Sequence, residues 1–367
     1  MTQNIVIVGG GVAGLTIFKE LSPKLVKNPD TNVILIDPRP FHLHMISSLR
    51  MIVTEEGNRS VMPHPPSFNS GNKRVIHSKV TSITDNDNGH FVTLANGETV
   101  DFSVLVLATG GHWSGPLAFG NDQAEVSEKV SEWRRKFKNS RNVVLIGGGA
   151  VGFELAGEIK DFHPNTKVTI VHKQLLPLNN AYTDRWRRYI LSRAQKRGID
   201  IVLDDAVDDL TLANGKILTR GNRSIPADLV VPTFGSRPNT EYIKTFDASV
   251  LNSAGEVRVQ PTLQVTGHPR IFAAGDIIEW KEEKQALKAG NHAKVIITNI
   301  LSLLNGSGKL KEYKSGFEMI ILTDGPNGGT SYFGLLWGLI FGGWFTRLLK
   351  SKSLLIDMMK TSYGLDK

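Results

Sequence analysis

Short apolar runs alternate with amphipathic stretches in two successive blocks of this chain, and each block reads strand, helix, strand. The predicted elements are, in chain order, 4–8, 13–21, 32–36, 142–146, 150–160 and 167–171. A strand, a crossover helix and a second strand make a βαβ unit, so the sequence predicts two such units.

Each block closes with another strand that runs into a short threonine–glycine motif. These motifs are Ala108, Thr109 and Gly110 after the strand 103–107, and Thr233 and Gly235 after the strand 228–232. Before the closing strand of the first block, residues 73–100 alternate apolar and polar positions around two turns, which predicts a small antiparallel sheet. Helical periodicity also covers 183–197 and 284–304.

The repeated pattern predicts an α/β fold with two Rossmann-like dinucleotide-binding domains. We expect the first of these domains in two parts, 1–114 and 246–320, with the second inserted at 115–245. Residues 321–367 differ in composition and are expected to form a C-terminal extension associated with a membrane or a quinone.

A glycine-rich turn precedes the first helix of each block. The first glycine permits the tight bend, the second lets the backbone approach a pyrophosphate, and the third lets helix and strand pack closely. The helix N-terminus then offers free N–H groups to the phosphates. The expected cofactor-binding residues are Gly9, Gly11, Val12, Ala13 and Gly14 in the first block, and Gly147, Gly149, Val151 and Gly152 in the second.

The end of the second strand distinguishes the two sites. Asp37, followed by Pro38 and Arg39, places a carboxylate where the ribose hydroxyls of an unphosphorylated dinucleotide such as FAD would lie. The second block has His172 and Lys173 there, so no carboxylate repels a 2′-phosphate and two groups can carry positive charge. We therefore expect FAD at the first site and both NADH and NADPH at the second.

Asp276 extends the expected FAD site, because a carboxylate after a strand and a glycine suits a ribityl hydroxyl; a helix-capping aspartate is the alternative. The helix that starts near Lys284, Gln285 and Ala286 would direct its N-terminus at the flavin, where reduction places negative charge.

Composition narrows the chemistry. The 367 residues include no cysteine, which excludes disulfide pairs, thiolate metal sites and thiol relays. A net charge of +8 favours nucleotides, acidic lipid or nucleic acid as partners, or reflects only a soluble basic surface. No third ligand accompanies His42 and His44, so no metal site is expected. The basic stretch 133–138 is interpreted as an exposed helix face, so nucleic-acid binding is not expected.

These motifs as a set resemble the FAD-dependent pyridine-nucleotide oxidoreductases over residues 4–300. The resemblance implies a glutathione-reductase-like arrangement, with an FAD-binding domain at 1–114 and 246–320 and an NAD(P)H-binding domain at 115–245. The stretches 149–158, 289–293 and 347–351 narrow the resemblance to the apoptosis-inducing-factor-like branch, which includes the ferroptosis suppressor proteins. The resemblance implies that a hydride passes from the nicotinamide to flavin N5 and that two electrons then pass to a ubiquinone-type acceptor.

The same resemblance implies two active-site residues, Glu154 beside the nicotinamide and Lys350 near the flavin. A solvated helix residue and a basic flank of an apolar run are the alternatives for these two positions. Two other functions stay open: a redox-gated interaction protein with slow turnover, and a basic nucleic-acid-binding protein with a vestigial cofactor.

The run 333–345 is apolar and aromatic, and four basic residues follow it: Arg347, Lys350, Lys352 and Lys360. This composition is typical of a segment at a membrane interface, and it also suits a quinone channel, a core element or a dimer interface. The run is too short to span a bilayer. Because residue 2 is threonine, no N-myristoyl anchor is expected. We expect an intracellular, cytoplasmic monomer or homodimer, peripheral to membranes or lipid droplets, with mitochondrial association as an alternative.

Overall fold

Two separate parallel sheets organise the chain, which the computed structural model describes over residues 3–28 and 30–366. Thr2, on which the expected absence of an acyl anchor rests, lies outside the described residues. The helices are α1 (Val12–Leu21), α2 (Ser48–Val53), α3 (Gln123–Asn139), α4 (Ala150–Phe162), α5 (Asp184–Lys196), α6 (Ala286–Leu304), α7 (Gly343–Thr346) and α8 (Ile356–Tyr363).

Strands that were predicted from the alternation of apolar positions are present in both blocks. The strands are β1 (Gln3–Val8), β2 (Thr31–Ile36), β3 (Phe41–Leu43), β4 (Val61–Pro63), β5 (Lys73–Ile76), β6 (Val80–Asn86), β7 (Gly89–Leu94), β8 (Thr99–Asp101), β9 (Val104–Leu107), β10 (Gly111–His112), β11 (Asn142–Ile146), β12 (Lys167–His172), β13 (Ile199–Leu203), β14 (Lys216–Leu218), β15 (Ser224–Pro226), β16 (Leu229–Pro232), β17 (Arg237–Pro238), β18 (Val257–Arg258), β19 (Gln264–Val265), β20 (His268–Ala273), β21 (Ile278–Glu279), β22 (Met319–Thr323), β23 (Gly329–Phe333) and β24 (Leu339–Phe341).

The first sheet has the strand order β19-β20-β9-β1-β2-β5. Its neighbours are parallel except β19 and β20, which run antiparallel. The central strands are apolar and buried on both faces, as is typical of a parallel sheet covered by other elements. Its strands come from 3–107 and from 264–273, so two distant parts of the chain complete one sheet.

The second sheet lies between those two parts in sequence and has the order β13-β12-β11-β16, with every neighbour parallel. Two Rossmann-like units therefore confirm the predicted fold class. The exact domain boundaries at 114, 245 and 320 stay predictions.

Two local expectations were wrong. Residues 73–76 do not belong to the antiparallel sheet β6–β8, because β5 pairs in parallel with β2 and extends the first sheet. The last long helix begins at Ala286 and not at Lys284, because Gln285 still has an extended backbone with φ −143°.

The C-terminal segment packs on both units. Its antiparallel sheet β22–β24 sets Tyr332 against Trp186 of α5, with ring centroids 5.2 Å apart. Tyr363 and Leu365 are buried in the core of the first unit. Across 3–28 and 30–366, no helix has the length and apolar character to cross a membrane.

Candidate active site between two dinucleotide cradles

The first glycine-rich turn has the geometry of a phosphate cradle. Gly9 has φ +106°, and a Cβ there would lie 2.4 Å from the carbonyl oxygen of Ala108. A Cβ on Gly14 would lie 1.8 Å from the Gly9 oxygen, which is why α1 packs so closely on β1. Gly11 instead faces open space. It is the N-cap residue of α1, and no side chain caps this helix end. The backbone groups at this open helix end belong to Val12, Ala13 and Gly14.

The second turn repeats this geometry at the start of α4. Gly147 has φ +129°, and a Cβ on Gly152 would lie 2.0 Å from the Gly147 oxygen. Gly149 faces open space and provides no side-chain cap for α4, whose first turn contains Val151. Both turns therefore fit a bound pyrophosphate, since each leaves uncapped N–H groups beside a surface that no side chain fills.

The residues that end the second strands accept equivalent hydrogen bonds. Asp37 Oδ2 accepts from the N–H of Gly10 at 2.5 Å, and His172 Nδ1 accepts from the N–H of Gly148 at 3.0 Å. Burial raises the pKa of Asp37, although the Gly10 bond opposes that rise. Burial also lowers the pKa of His172, so this ring is neutral at pH 7 with its proton on Nε2. Only Lys173, which is exposed, is left to carry the positive charge expected at the second site.

The neighbours of Asp37 have structural partners. The N–H of Arg39 donates to Asp37 Oδ1 at 2.8 Å, and its guanidinium donates to the carbonyl oxygens of Phe119 at 3.2 Å and Gly120 at 3.0 Å. Pro38 between them is half-buried. The Arg39 side chain thus fixes the loop that precedes α3, while its backbone orients the carboxylate.

Asp276 follows β20 at the edge of the first cradle. Burial raises the pKa of its carboxyl, which the charges of Lys284 and His292 partly offset. Within the described residues its oxygens accept no hydrogen bond, which suits a hydroxyl donor such as a ribityl group.

The residues before α6 are engaged with the protein. Lys284 Nζ lies 3.0 Å from Glu256 Oε1, so its charge is paired rather than directed freely at a flavin. Gln285 Nε2 donates to the Tyr182 hydroxyl at 3.2 Å, which links α6 to the second unit. Ala286 is the first residue of α6.

A buried network that the sequence did not reveal supports the turn before Asp276. The N–H of Gly275 donates to His292 Nδ1 at 3.1 Å, and His292 Nε2 donates to Glu282 Oε1 at 2.8 Å. Tyr313 donates to Glu282 Oε2 at 2.8 Å. Although burial opposes ionisation, the bonds from His292 and Tyr313 hold the pKa of Glu282 below its ordinary value.

The threonine–glycine motifs join the two units. Thr109 Oγ1 donates to the Asn239 carbonyl at 2.6 Å, and the N–H of Asn239 donates to the Gly110 carbonyl at 2.9 Å. Strands β10 and β17 pair beside these bonds. Gly235, in the segment between β16 and β17, faces open space. The two segments that follow β9 and β16 are therefore joined to each other mainly by backbone pairing.

The structure brings the two predicted active-site residues together. Lys350 Nζ donates to Glu154 Oε1 at 2.8 Å and to the Ile321 carbonyl at 3.0 Å. The same Glu154 oxygen accepts from the N–H of Thr323 at 2.9 Å. The Lys350 side chain is 16% exposed and the Glu154 side chain is 13% exposed. The pair is therefore largely desolvated but still accessible to a small molecule. Glu154 lies in α4 one turn after the second cradle, and Lys350 lies in a π-helical turn, Arg347–Ser351.

A second ion pair, not foreseen from the sequence, lies beside the first. Arg50 of α2 makes a two-pronged contact with Glu158 of α4, at 2.9 and 2.8 Å, with only 4% and 2% of the side chains exposed. Burial raises the pKa of Glu158, and the bonds from Arg50 oppose the rise. The signal in the sequence was an arginine inside the otherwise apolar run 49–53.

Large apolar side chains are exposed at seven positions of the C-terminal segment between 335 and 349, and we call this set of residues the aromatic tip. Leu336 and Trp337 connect β23 to β24 with positive φ, and they are 74% and 93% exposed. The other exposed members are Leu335, Leu339, Trp344, Leu348 and Leu349. Monomeric soluble proteins seldom expose so many large apolar side chains together.

Comparison with known proteins gives a family match over most of the chain. Residues 3–293 match the family model described as pyridine nucleotide-disulphide oxidoreductase. An FAD-dependent oxidoreductase of Flammulina velutipes is 40% identical over 311 residues, which cover 84% of this chain and 97% of that protein. Human ferroptosis suppressor protein 1 is 29% identical, and the alignment covers 96% of this chain and 94% of the human protein.

Apoptosis-inducing factor homolog B of Dictyostelium discoideum is 26% identical over 97% of this chain and 95% of its own length. Among solved structures, the sulfide:quinone oxidoreductase of Aquifex aeolicus superposes with a TM-score of 0.79 at 18% identity, covering 99% of this chain and 92% of that one. At that identity the likeness concerns the fold.

Proposed function

Since the chain belongs to the pyridine nucleotide-disulphide oxidoreductase family, we propose that it transfers electrons from NADH or NADPH to a quinone. Membership makes it an FAD-dependent oxidoreductase that uses NAD(P)H, and the quinone is the proposed acceptor. When bound, the nicotinamide supplies a hydride and the flavin accepts it as a two-electron carrier.

The observation that carries the proposal is the Lys350–Glu154 pair in a chain without cysteine. Without a thiol, electrons cannot leave through a disulfide of this protein, so a diffusing acceptor has to receive them. Reduction of a quinone to a quinol also consumes two protons. A desolvated ammonium group beside the acceptor stabilises the negative charge that develops on its oxygen.

The hydrogen bonds of Lys350 support this role. An ammonium group has three N–H donors, and two of them are used by Glu154 Oε1 and by the Ile321 carbonyl. The third has no partner among the described residues, so it can donate to an acceptor oxygen. Glu154 in turn is held by the Thr323 N–H, so the carboxylate orients the lysine. We propose that Glu154 positions the nicotinamide, as expected from the sequence, and that it also positions Lys350 through this hydrogen bond.

The aromatic tip is proposed as the place where a membrane-borne quinone reaches the site. Its member Leu348 lies two residues before Lys350 in the same segment. Basic Arg347 and Lys352 are exposed beside it, which suits an anionic lipid surface. Peripheral attachment through this tip would bring the Lys350–Glu154 pair close to the lipid phase where long-chain quinones dissolve.

Stopped-flow kinetics test the proposed function. The bound flavin is reduced with NADH or NADPH, and its reoxidation is then followed with a short-chain ubiquinone, with oxygen and with ferricyanide. We expect the quinone to reoxidise the flavin at least tenfold faster than oxygen. Equal rates with oxygen and quinone would contradict a quinone reductase, and slow turnover with a long-lived reduced complex would favour a redox-gated interaction protein instead.

A further inference from the structure

Arg50 connects three parts of the fold through one guanidinium group. It lies in α2, whose apolar side chains pack in the same core cluster as those of α4, and it contacts Glu158 of α4. Its Nη2 also donates to the Ser351 carbonyl at 2.9 Å, and its Nη1 donates to the Lys352 carbonyl at 3.4 Å. Those two carbonyls immediately follow Lys350, so the guanidinium holds the backbone that carries the proposed active-site lysine.

The same backbone is also fixed from its other side. Ser351 is fully buried, and its Oγ donates to the Gly328 carbonyl at 2.6 Å in the loop before β23. The π-helical turn that contains Lys350 closes with a bond from the Lys352 N–H to the Arg347 carbonyl at 3.3 Å. Turns of this kind are uncommon and often occur at functional sites.

The two ion pairs lie one helical turn apart on α4, because Glu154 and Glu158 are four residues apart on the same face. Each joins α4 to the same C-terminal stretch: Glu154 through the Lys350 side chain, and Glu158 through Arg50 and the following carbonyls. A shift of the Arg50 contact would therefore move the Lys350 backbone relative to Glu154.

Stability alone gives little reason for such a pair. Desolvation of two charges costs about as much as their attraction returns, and apolar replacement of both partners is often neutral or stabilising. We propose that Arg50 and Glu158 are positioning residues that set the reach of Lys350 Nζ to Glu154 and to the acceptor. This inference rests on the proposed role of Lys350 in quinone reduction.

The test uses the full-length holoenzyme and replaces both partners, R50M/E158M, so that no unpaired charge is left buried. We expect FAD absorbance and the melting temperature to stay near those of the parent protein. The rate of flavin reoxidation by a short-chain ubiquinone should fall about ten- to a hundredfold, the usual cost of a misplaced catalytic group. R59A is the matched control, because Arg59 also pairs with a carboxylate from a distant part of the chain, Asp357 of α8, but its side chain is 61% exposed.

A double-mutant cycle with Lys350→Met separates positioning from a general structural effect. If Arg50 and Glu158 act through Lys350, the triple variant R50M/E158M/K350M reoxidises its flavin no more slowly than K350M alone. Multiplying losses in the triple variant would overturn the inference. So would an unchanged rate in R50M/E158M.

If Lys350 has no role in quinone reduction, the result is different, because K350M alone would then reoxidise its flavin at the rate of the parent protein.

The variant R50K is the alternative test if R50M/E158M does not fold. A lysine keeps the charge opposite Glu158 but cannot span both carbonyls as the planar guanidinium does. We expect R50K to lose about tenfold in the same reoxidation step, again without further loss in the K350M background, and full activity in R50K would contradict the inference.

Discussion

Lys350 Nζ donates a 2.8 Å hydrogen bond to Glu154 Oε1 across 196 positions of sequence. The bond joins the C-terminal segment to the helix that opens the second dinucleotide cradle. The proposed site is therefore complete only when the C-terminal segment has folded back over α4. This dependence explains why Tyr332 and Tyr363 anchor that segment in both cores.

Neutralising either member of this pair is expected to slow quinone reduction about ten- to a hundredfold, because the acceptor loses an oriented donor in a desolvated place. Glu154→Gln and Lys350→Met are the variants, and steady-state kcat with a short-chain ubiquinone is the measurement. Lys196→Met, on the exposed face of α5, is the control for loss of a lysine charge. Full activity in both Glu154→Gln and Lys350→Met would exclude this role.

The sequence predicted what local chemistry determines. Both glycine turns, the βαβ order and the carboxylate at Asp37 follow from steric limits and strand periodicity over short distances. The contact between Arg50 and Glu158 was not predictable, because pairing between α2 and α4 depends on how two units and a C-terminal segment pack. The burial of Tyr363 and Leu365 was not predictable for the same reason, because it depends on how the C-terminal segment folds back onto the first unit.

The glycine turns separate a cofactor effect from a folding effect. Gly14→Ala would place a Cβ 1.8 Å from the Gly9 oxygen, so we expect little folded protein. Gly11→Ala meets no protein atom within 4 Å, so the chain should fold but bind FAD at least tenfold more weakly. FAD content per folded protein, from absorbance after gel filtration, is the measurement. Gly316→Ala, also in open space but outside both glycine turns, should keep full FAD content.

Lys173 should decide how well NADPH is used, because the His172 ring beside it is neutral at pH 7. We expect Lys173→Glu to lower kcat/KM for NADPH about tenfold and to leave NADH nearly unchanged, since only NADPH carries a 2′-phosphate. Lys167→Glu, at the other end of β12, controls for the change in net charge. A parent enzyme that uses NADPH over a hundredfold less efficiently than NADH would contradict dual cofactor use.

His64 should make the fold sensitive to acid. Burial lowers its pKa from 6.5 to about 4, and neither ring nitrogen has a hydrogen-bond partner within the described part of the chain. The unfolded chain takes up this proton below 6.5 while the folded protein does so only near 4, so stability falls as pH drops through that window. At pH 5 the loss is about 1–2 kcal/mol.

His64→Phe should remove this loss of stability at low pH. The phenyl ring would occupy the place of the imidazole beside Phe68 and His77, and it takes up no proton. Urea unfolding at pH 7.5 and pH 5.0 measures the difference for the parent and the variant. His112→Phe, at an exposed position, should keep the pH dependence of the parent. An equal loss of stability in His64→Phe and in the parent would show that other groups cause the acid sensitivity.

The aromatic tip is expected to attach the protein to anionic vesicles. Removal of the whole segment 333–367 is a poor test, because it would also take Tyr363 and Leu365 out of the core. Leu336→Ser with Trp337→Ser removes two of the most exposed apolar side chains without touching the fold. Moving a large apolar side chain from water into lipid is favourable by about 1.5–3 kcal/mol. We therefore expect the double variant to bind vesicles at least tenfold more weakly than the parent protein.

Flotation with phosphatidylcholine vesicles, with and without phosphatidylserine, measures that attachment. Binding should be stronger with phosphatidylserine, because Arg347 and Lys352 add about 1 kcal/mol each near an anionic surface. Leu175→Ser is the matched control, since Leu175 is 72% exposed but lies in the second unit, outside the aromatic tip. Equal flotation of the parent, the Leu175 variant and the Leu336/Trp337 double variant would mean that the tip does not contact lipid.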